Sequence, residues 1–128
     1  MVLAELLAED QRPPSDFWLE PIISSRLVEY ECFTRLFALN ASVDVRERAT
    51  EVLEGLELLE LSPLVLRRAL TPFPKAVRTL DALHLATACF LQDLGKTVRF
   101  ASYDRRQRRT AESLGMTLIL DEPVETET

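Results

Sequence analysis

One apolar segment with a single acid near its start constrains the fold of this chain most. Residues 79–94 carry apolar side chains at helical spacing, with three alanines among them that permit close packing. We predict a buried helix with Thr79 as its N-cap and Asp81 in its first turn, where the helix dipole favours negative charge. The predicted apolar stripe contains Leu80, Leu83, Thr87, Phe90, Leu91 and Leu94. Because carboxylates are rarely buried without partners, Asp81 predicts a nearby partner or a metal.

Length and composition are those of one ordinary globular domain. The chain has 128 residues, of which 47% are hydrophobic and 28% are charged. Its apolar runs fall short of the roughly 20 residues of a membrane span, and we find no signal peptide. We expect one domain over residues 1–121, an acidic disordered tail over 122–128, a cytoplasmic location and no membrane partner.

Charge is distributed unevenly along the chain. The net charge of −6 combines −8 over residues 1–62, +6 over 63–120 and −4 over 121–128. An acidic protein is not a general nucleic-acid coat, although its basic half could bind phosphate locally. The alternative is a solvated charge distribution without a function.

Cys32 and Cys89 lie far apart within predicted helices. Their separation fits neither a metal motif nor a disulfide framework. We predict that both are reduced side chains packed in a core.

Helical and strand patterns alternate along the chain, which is typical of an α/β fold with a parallel sheet. Strands are predicted at 21–24, 97–103 and 116–120, and residues 58–62 form either a strand or a helix end. Helices are predicted at 1–9, from Ser24 or Ser25 to 40, from an Asp44 cap to 56, at 63–70, at 79–94 and at 105–113.

Three acids stand near the beginnings of predicted helices. Asp104 follows a strand, and ligand sites of open parallel sheets lie beyond such strand ends, although Asp104 could act only as an N-cap. Glu31 shares a helical stripe with Leu27, Thr34 and Ala38, so we expect it to be partly buried, whereas Glu29 points to another face and to solvent. Together Glu31, Asp81 and Asp104 suit a hard divalent cation such as Mg²⁺.

Two other features have a structural and a functional interpretation. His84, the only histidine, is predicted to pack or to form a hydrogen bond rather than to contact substrate. The basic run 105–109 either contacts an RNA backbone or forms a solvated helix face, since one helical turn spreads its arginines over several sides.

At this point the sequence resembles the PIN-domain ribonucleases of the VapC toxin type. The segment RTLDALHLA at 78–86 resembles the motif around that family's third acid. The segments SYDRR at 102–106 and AESLG at 111–115 are similar to its next acidic motif and the following helix. The segment SSRLVEYE at 24–31 is similar to the region of the second acid, where the serine-to-glutamate spacing selects Glu31.

The resemblance implies a PIN-like three-layer fold with a central parallel sheet flanked by helices. It implies a Mg²⁺- or Mn²⁺-dependent endoribonuclease, the toxin of a type II toxin–antitoxin pair, with an RNA substrate, a small antitoxin partner and a homodimeric state. Glu31, Asp81 and Asp104 would be the catalytic residues and metal ligands. Ser102 and Arg105 would contact substrate, and Ser102 could orient Asp104 or a metal-bound water.

One part of the family pattern has no counterpart. Family members begin with a strand that ends in an Asp, before the helix found here at 2–9. We expect either that translation starts upstream of Met1 or that the chain is a truncated, non-catalytic module that binds an antitoxin or RNA. For the 128 residues alone we expect little cleavage and low stability, because a first strand and one clustered carboxylate are missing.

Overall fold

Helices and short parallel strands alternate through residues 14–120, the part of the chain that the computed structural model describes. Contacts divide the chain into two compact units, Met1–Glu60 and Leu61–Thr128. The helix expected at 1–9 and the tail expected at 122–128 lie outside the described residues. A single domain over 1–121 stays a prediction.

The first unit pairs two strands around two helices. A 3-10 helix, Ser15–Leu19, precedes β1 (Ile23–Ser25), α1 (Leu27–Ala38), α2 (Val43–Glu54) and β2 (Glu57–Leu59). Strands β1 and β2 are parallel, with Ile23 opposite Glu57. The residues between the two strands form the helical crossover that a parallel pair requires. The buried core of this unit consists of Cys32, Leu36, Ala49 and Leu53.

The second unit repeats the parallel pairing with a single helix between its strands. Its elements are α3 (Pro63–Ala69), α4 (Thr79–Asp93), β3 (Arg99–Ala101), α5 (Arg105–Ser113) and β4 (Thr117–Ile119). Strands β3 and β4 are parallel, with Arg99 opposite Thr117. Gly115 has a φ of +86° and ends α5 in a conformation that side chains disfavour. The buried core consists of Leu85, Ala88, Cys89, Ala111 and Met116.

The α/β class and the parallel strand pairing are confirmed. Within residues 14–120 the strands form two separate two-stranded ladders, β1 with β2 and β3 with β4, rather than one hydrogen-bonded central sheet. Each strand is only three residues long, so each ladder makes few backbone bonds. Residues 58–62, for which a strand or a helix end was predicted, supply part of β2. Both cysteines are free and buried, as predicted.

Three predicted helix caps are wrong. Ser24 or Ser25 was expected to cap α1, but the N-cap of that helix is Arg26, whose side chain makes no capping bond.

The other two wrong caps are those of α2 and α4. Ser42, not Asp44, caps α2, because its hydroxyl accepts the Val45 amide while Asp44 already lies in the first turn. Helix α4 includes Thr79, and its N-cap is the extended residue Arg78, whose side chain makes no capping bond. In all three cases the backbone becomes helical one or two positions away from the residue that the local sequence favours.

The buried face of α4 also differs from the predicted stripe. Of that stripe only Thr87 is buried, while Leu80 is 47% and Leu94 60% exposed. The other buried residues of the helix are Ala82, Leu85, Ala86, Ala88 and Cys89. Small side chains allow α4 to approach Ala111 of α5 closely, so the close-packed face prevails over the longer leucine stripe.

Candidate functional site

Asp104 begins α5 directly beyond the end of β3. Its side chain is exposed, and its Oδ1 atom accepts the backbone N–H groups of Arg106 at 2.9 Å and Gln107 at 3.1 Å. The predicted N-cap role is therefore confirmed. Capping occupies one carboxylate oxygen and holds the group at the positive end of the helix dipole.

Ser102 stabilises the same turn through hydrogen bonds of its hydroxyl. Its side chain is buried, with 7% of the residue exposed. The hydroxyl oxygen accepts the Asp104 N–H at 3.0 Å, and the hydroxyl donates to Oε1 of Gln107 at 2.8 Å. Ser102 thus contacts the backbone of Asp104, in line with the expectation that it orients this acid. Substrate contact by Ser102 stays a prediction.

Arg108 is the buried member of the basic run. It is 5% exposed, and its Nη1 donates to the carbonyl oxygens of Ser102, Ile119 and Leu120 at 3.0, 3.2 and 2.9 Å. Leu120 has a φ of +70°, a strained value for leucine, so this bond also restrains an unfavourable turn. Arg108 therefore joins the carboxyl ends of β3 and β4 to α5.

The remaining arginines of this run differ in exposure. Arg105 is half-buried, whereas Arg106 and Arg109 are exposed. The expectation that one helical turn spreads these side chains over several sides is confirmed. Phosphate contact by Arg105 stays a prediction.

Asp81 lies in the first turn of α4, as predicted, and is half-buried. The buried residues Ala82 and Leu85 place the following turn against the core. His84 is also half-buried on this helix. The helix start supplies a favourable dipole field for the Asp81 carboxylate.

Glu31 lies on α1 in the first unit and is half-buried, as expected. The stripe predicted to accompany it is wrong, because Thr34 and Ala38 are exposed while Cys32 and Leu36 are buried. The apolar face of α1 turns toward the core of this unit through Cys32 and Leu36, so Glu31 borders the buried face without belonging to it.

Glu29 is half-buried and does not simply face solvent, which corrects the prediction for this residue. Its carboxylate lies 2.7 Å from Nη1 of Arg26, and Glu60 lies 2.6 Å from Nη2 of the same guanidinium. These two hydrogen-bonded carboxylates raise the pKa of Arg26 above its ordinary value. The carboxylates of Glu29 and Glu60 are therefore both paired with the guanidinium of Arg26.

The three predicted metal ligands fit a hard cation by their chemistry, since Mg²⁺ prefers carboxylate oxygens and retained waters. Asp104 uses only Oδ1 in its capping bonds to Arg106 and Gln107, so its geometry is compatible with a further ligand at the other oxygen. Within residues 14–120 no three side chains of His, Cys, Asp or Glu form a group that could hold a metal. Glu31, Asp81 and Asp104 as a joint ligand set therefore stay a prediction.

Sequence reasoning missed Gln107 and Arg108. Gln107 stands three residues after the Asp104 cap, the spacing at which a glutamine reaches back in a capping box. That spacing could have identified Gln107. Nothing local distinguishes Arg108 from its neighbours, because its burial depends on the strand ends that it contacts.

The model of the PIN domain family matches residues 2–113 of this chain. The chain belongs to the PIN domain family. All three predicted acids lie within the matched segment. The sequence is 40% identical over 100 residues to ribonuclease VapC46 of Mycobacterium tuberculosis (strain ATCC 25618 / H37Rv), across 77% of this chain and 73% of that protein.

A second relative of this PIN-domain chain is ribonuclease VapC47 of Mycobacterium tuberculosis (strain CDC 1551 / Oshkosh). The two sequences are 40% identical over 60 residues, which are 47% of this chain and 43% of that protein.

No solved structure matches the chain significantly. Among the described residues, none of the helices has the length and apolar character needed to cross a membrane.

Proposed function

We propose that this PIN-domain protein is a metal-dependent endoribonuclease of the VapC toxin type. The observation that carries the proposal is the 40% identity to ribonuclease VapC46 across 73% of that protein. The presence of Glu31, Asp81 and Asp104 within the segment matched by the family model supports it further. The substrate is RNA, and the reaction is hydrolysis of a phosphodiester bond.

The cofactor that we propose is Mg²⁺ or Mn²⁺, held by Glu31, Asp81 and Asp104. When bound, such a cation neutralises charge on the phosphate and makes a water more acidic. The contribution of the chain is to hold these carboxylates in place. Asp104 is held by two backbone N–H groups, and Asp81 lies in the first turn of a helix that is buried on one face.

Cationic side chains beside Asp104 would bind the RNA backbone. Arg105, the predicted substrate contact, and the exposed Arg106 and Arg109 lie on the helix that Asp104 begins. Phosphate contacts of this kind position a nucleic acid without reading its sequence. Buried Arg108 is excluded from this role, because its guanidinium is bonded to backbone carbonyls.

The partners and the location that we propose are those that the resemblance to VapC-type toxins implies. The protein would act in the cytoplasm as the toxin of a type II pair, neutralised by a small antitoxin, and as a homodimer. The two free, buried cysteines are compatible with a reducing compartment.

Cleavage of a mixed transfer-RNA pool tests the proposal, with Mg²⁺ and then with excess EDTA. The assay uses the chain as given and, where the reading frame continues upstream of Met1, the extended chain. We expect little cleavage by the 128-residue chain alone. In the extended chain we expect fragments only with metal, and a loss of at least about 100-fold in Asp81→Asn, since a metal site contributes several kcal/mol to such reactions.

The matched control is Asp93→Asn, which changes an exposed acid at the other end of the same helix. It should cleave at the parent rate. Cleavage by Asp81→Asn at the parent rate would contradict the metal role. If neither chain cleaves RNA in Mg²⁺ or Mn²⁺, the alternative of a non-catalytic module that binds an antitoxin or RNA replaces the enzyme.

A further inference from the structure

Three residues at the start of α5 form a closed ring of hydrogen bonds. The Asp104 N–H donates to Oγ of Ser102 at 3.0 Å, and that hydroxyl donates to Oε1 of Gln107 at 2.8 Å. The Gln107 N–H returns to Oδ1 of Asp104 at 3.1 Å. Each member of the ring therefore restrains the next, and Asp104 is held through both its backbone and its carboxylate.

The ring is a variant of the capping box. In the ordinary form, the side chain three residues after the N-cap bonds the N-cap N–H directly. Here the buried Ser102 hydroxyl stands between Gln107 and the Asp104 N–H. Because the hydroxyl donates to Gln107, its lone pairs are directed toward the Asp104 N–H. The orientation of the Ser102 hydroxyl thus depends on Gln107.

We propose that Gln107 is a positioning residue for Asp104, acting through the hydroxyl of Ser102. Rotation of a serine hydroxyl is otherwise cheap, and an unrestrained hydroxyl would hold the Asp104 N–H less well. The Ser102 carbonyl is fixed independently, by Nη1 of Arg108 at 3.0 Å. Gln107 therefore controls the one part of Ser102 that Arg108 leaves adjustable.

The consequence for a cation rests on the proposed function. Both capping bonds go to Oδ1 of Asp104, from Arg106 and Gln107. A carboxylate restrained in this way offers its second oxygen in one orientation, which lowers the ordering cost of binding a metal. Loss of the Gln107 side chain should then weaken Mn²⁺ binding without removing any ligand.

The test compares the full chain with Gln107→Leu, which removes the acceptor at similar size, and Gln107→Glu, which retains an acceptor oxygen. Ser113→Ala is the matched control, because it removes a hydroxyl bond at the far end of the same helix. The readouts are amide hydrogen exchange of Asp104 by NMR and Mn²⁺ affinity by calorimetric titration.

In Gln107→Leu we expect Asp104 amide exchange to rise about fivefold and Mn²⁺ affinity to fall by about the same factor, the worth of one ordinary hydrogen bond. Gln107→Glu should restore slow exchange at Asp104, and Ser113→Ala should change neither quantity. A merely structural role would accelerate exchange across all of α5 rather than at its first turn.

Unchanged exchange at the Asp104 amide in Gln107→Leu would overturn the positioning role, whatever the metal result. If the parent chain binds Mn²⁺ and Gln107→Leu binds it equally well, the consequence for the metal is wrong. If the parent binds no Mn²⁺ but exchange responds as expected, the positioning role stands and the proposed metal function fails.

Discussion

Two strand-to-helix junctions, one in each unit, use a buried serine in the same way. They differ in whether their carboxylates form ion pairs or remain exposed. Ser25 is 2% exposed, and its hydroxyl accepts the amide of Leu27 at 3.0 Å. Ser102 is 7% exposed, and its hydroxyl accepts the amide of Asp104, also at 3.0 Å. In both cases a serine hydroxyl satisfies an N–H two residues later, where the chain leaves the strand.

The junctions diverge beyond that shared turn. At the first, Arg26 draws Glu29 and Glu60 into ion pairs. At the second, the buried Arg108 donates hydrogen bonds to backbone carbonyls, and Asp104 remains exposed as a helix cap. The same local turn can therefore stabilise a surface by charge pairing or present a carboxylate, depending on which groups surround its arginine.

The largest expected effect separates the two junctions by activity. Asp104→Asn should lower metal-dependent RNA cleavage by at least about 100-fold, because it removes the charge of a proposed ligand. Folding should be preserved, since asparagine caps helices about as well as aspartate. Glu29→Gln, the matched change at the first junction, should leave cleavage within about twofold. Equal losses in both variants, measured as initial rates, would break the distinction.

The two arginines should differ in their contribution to stability. Arg108→Met leaves the carbonyls of Ser102 and Leu120 without a charged donor, so we expect the free energy of unfolding to fall by about 2–3 kcal/mol. Arg26→Met should cause a much smaller loss that disappears at high salt, because Glu60 is exposed and Glu29 is only half-buried. Urea denaturation at low and high salt measures both. An equally large, salt-independent loss in Arg26→Met would contradict this difference.

Serine-to-alanine changes should sharpen the comparison. Ser25→Ala and Ser102→Ala each remove the acceptor of one backbone amide, so each should lower the free energy of unfolding by about 1 kcal/mol. Only Ser102→Ala should also slow RNA cleavage, by about fivefold, because only that hydroxyl holds a proposed metal ligand. Denaturation and cleavage assays on the same preparations separate these effects, and a matching slowdown in Ser25→Ala would count against a special role for Ser102.

The smallest expected effect concerns one buried thiol in each unit. Burial raises the pKa of Cys32 and of Cys89 above the ordinary value of 9.0, although Arg68 opposes part of the rise at Cys89. At a pH above the ordinary value, each thiol loses its proton in the unfolded chain more readily than in the folded chain. The resulting stability is fully present below the ordinary pKa and is lost as the pH rises through the folded pKa.

Denaturation between pH 8 and 10.5 measures this loss, and Cys32→Ala or Cys89→Ala should each flatten part of the slope. The slope is the readout, because each substitution also changes core packing and so shifts the absolute free energy. An unchanged slope in both variants would show that other groups control the alkaline region.

Much of the local structure could be predicted, because helical periodicity and strand ends depend on residues that are close together in the sequence. Examples are the α5 cap at Asp104, a strand within 97–103 and the burial of both cysteines. The faces of α1 and α4 could not be predicted so well. Apolar stripes that include Leu80 and Leu94 are compatible with the sequence, but the small residues of α4 pack against α5.

Sequence alone determined the family, most of the order of helices and strands, and the acids that we propose as ligands, because short motifs and periodicity carry that information. Tertiary structure decided which of several similar side chains are buried and which groups they bond. Arg108 is buried within a basic run because strand-end carbonyls surround it, and Gln107 reaches the Asp104 amide only through Ser102. Such roles depend on groups brought together by packing, which no single stretch of sequence specifies.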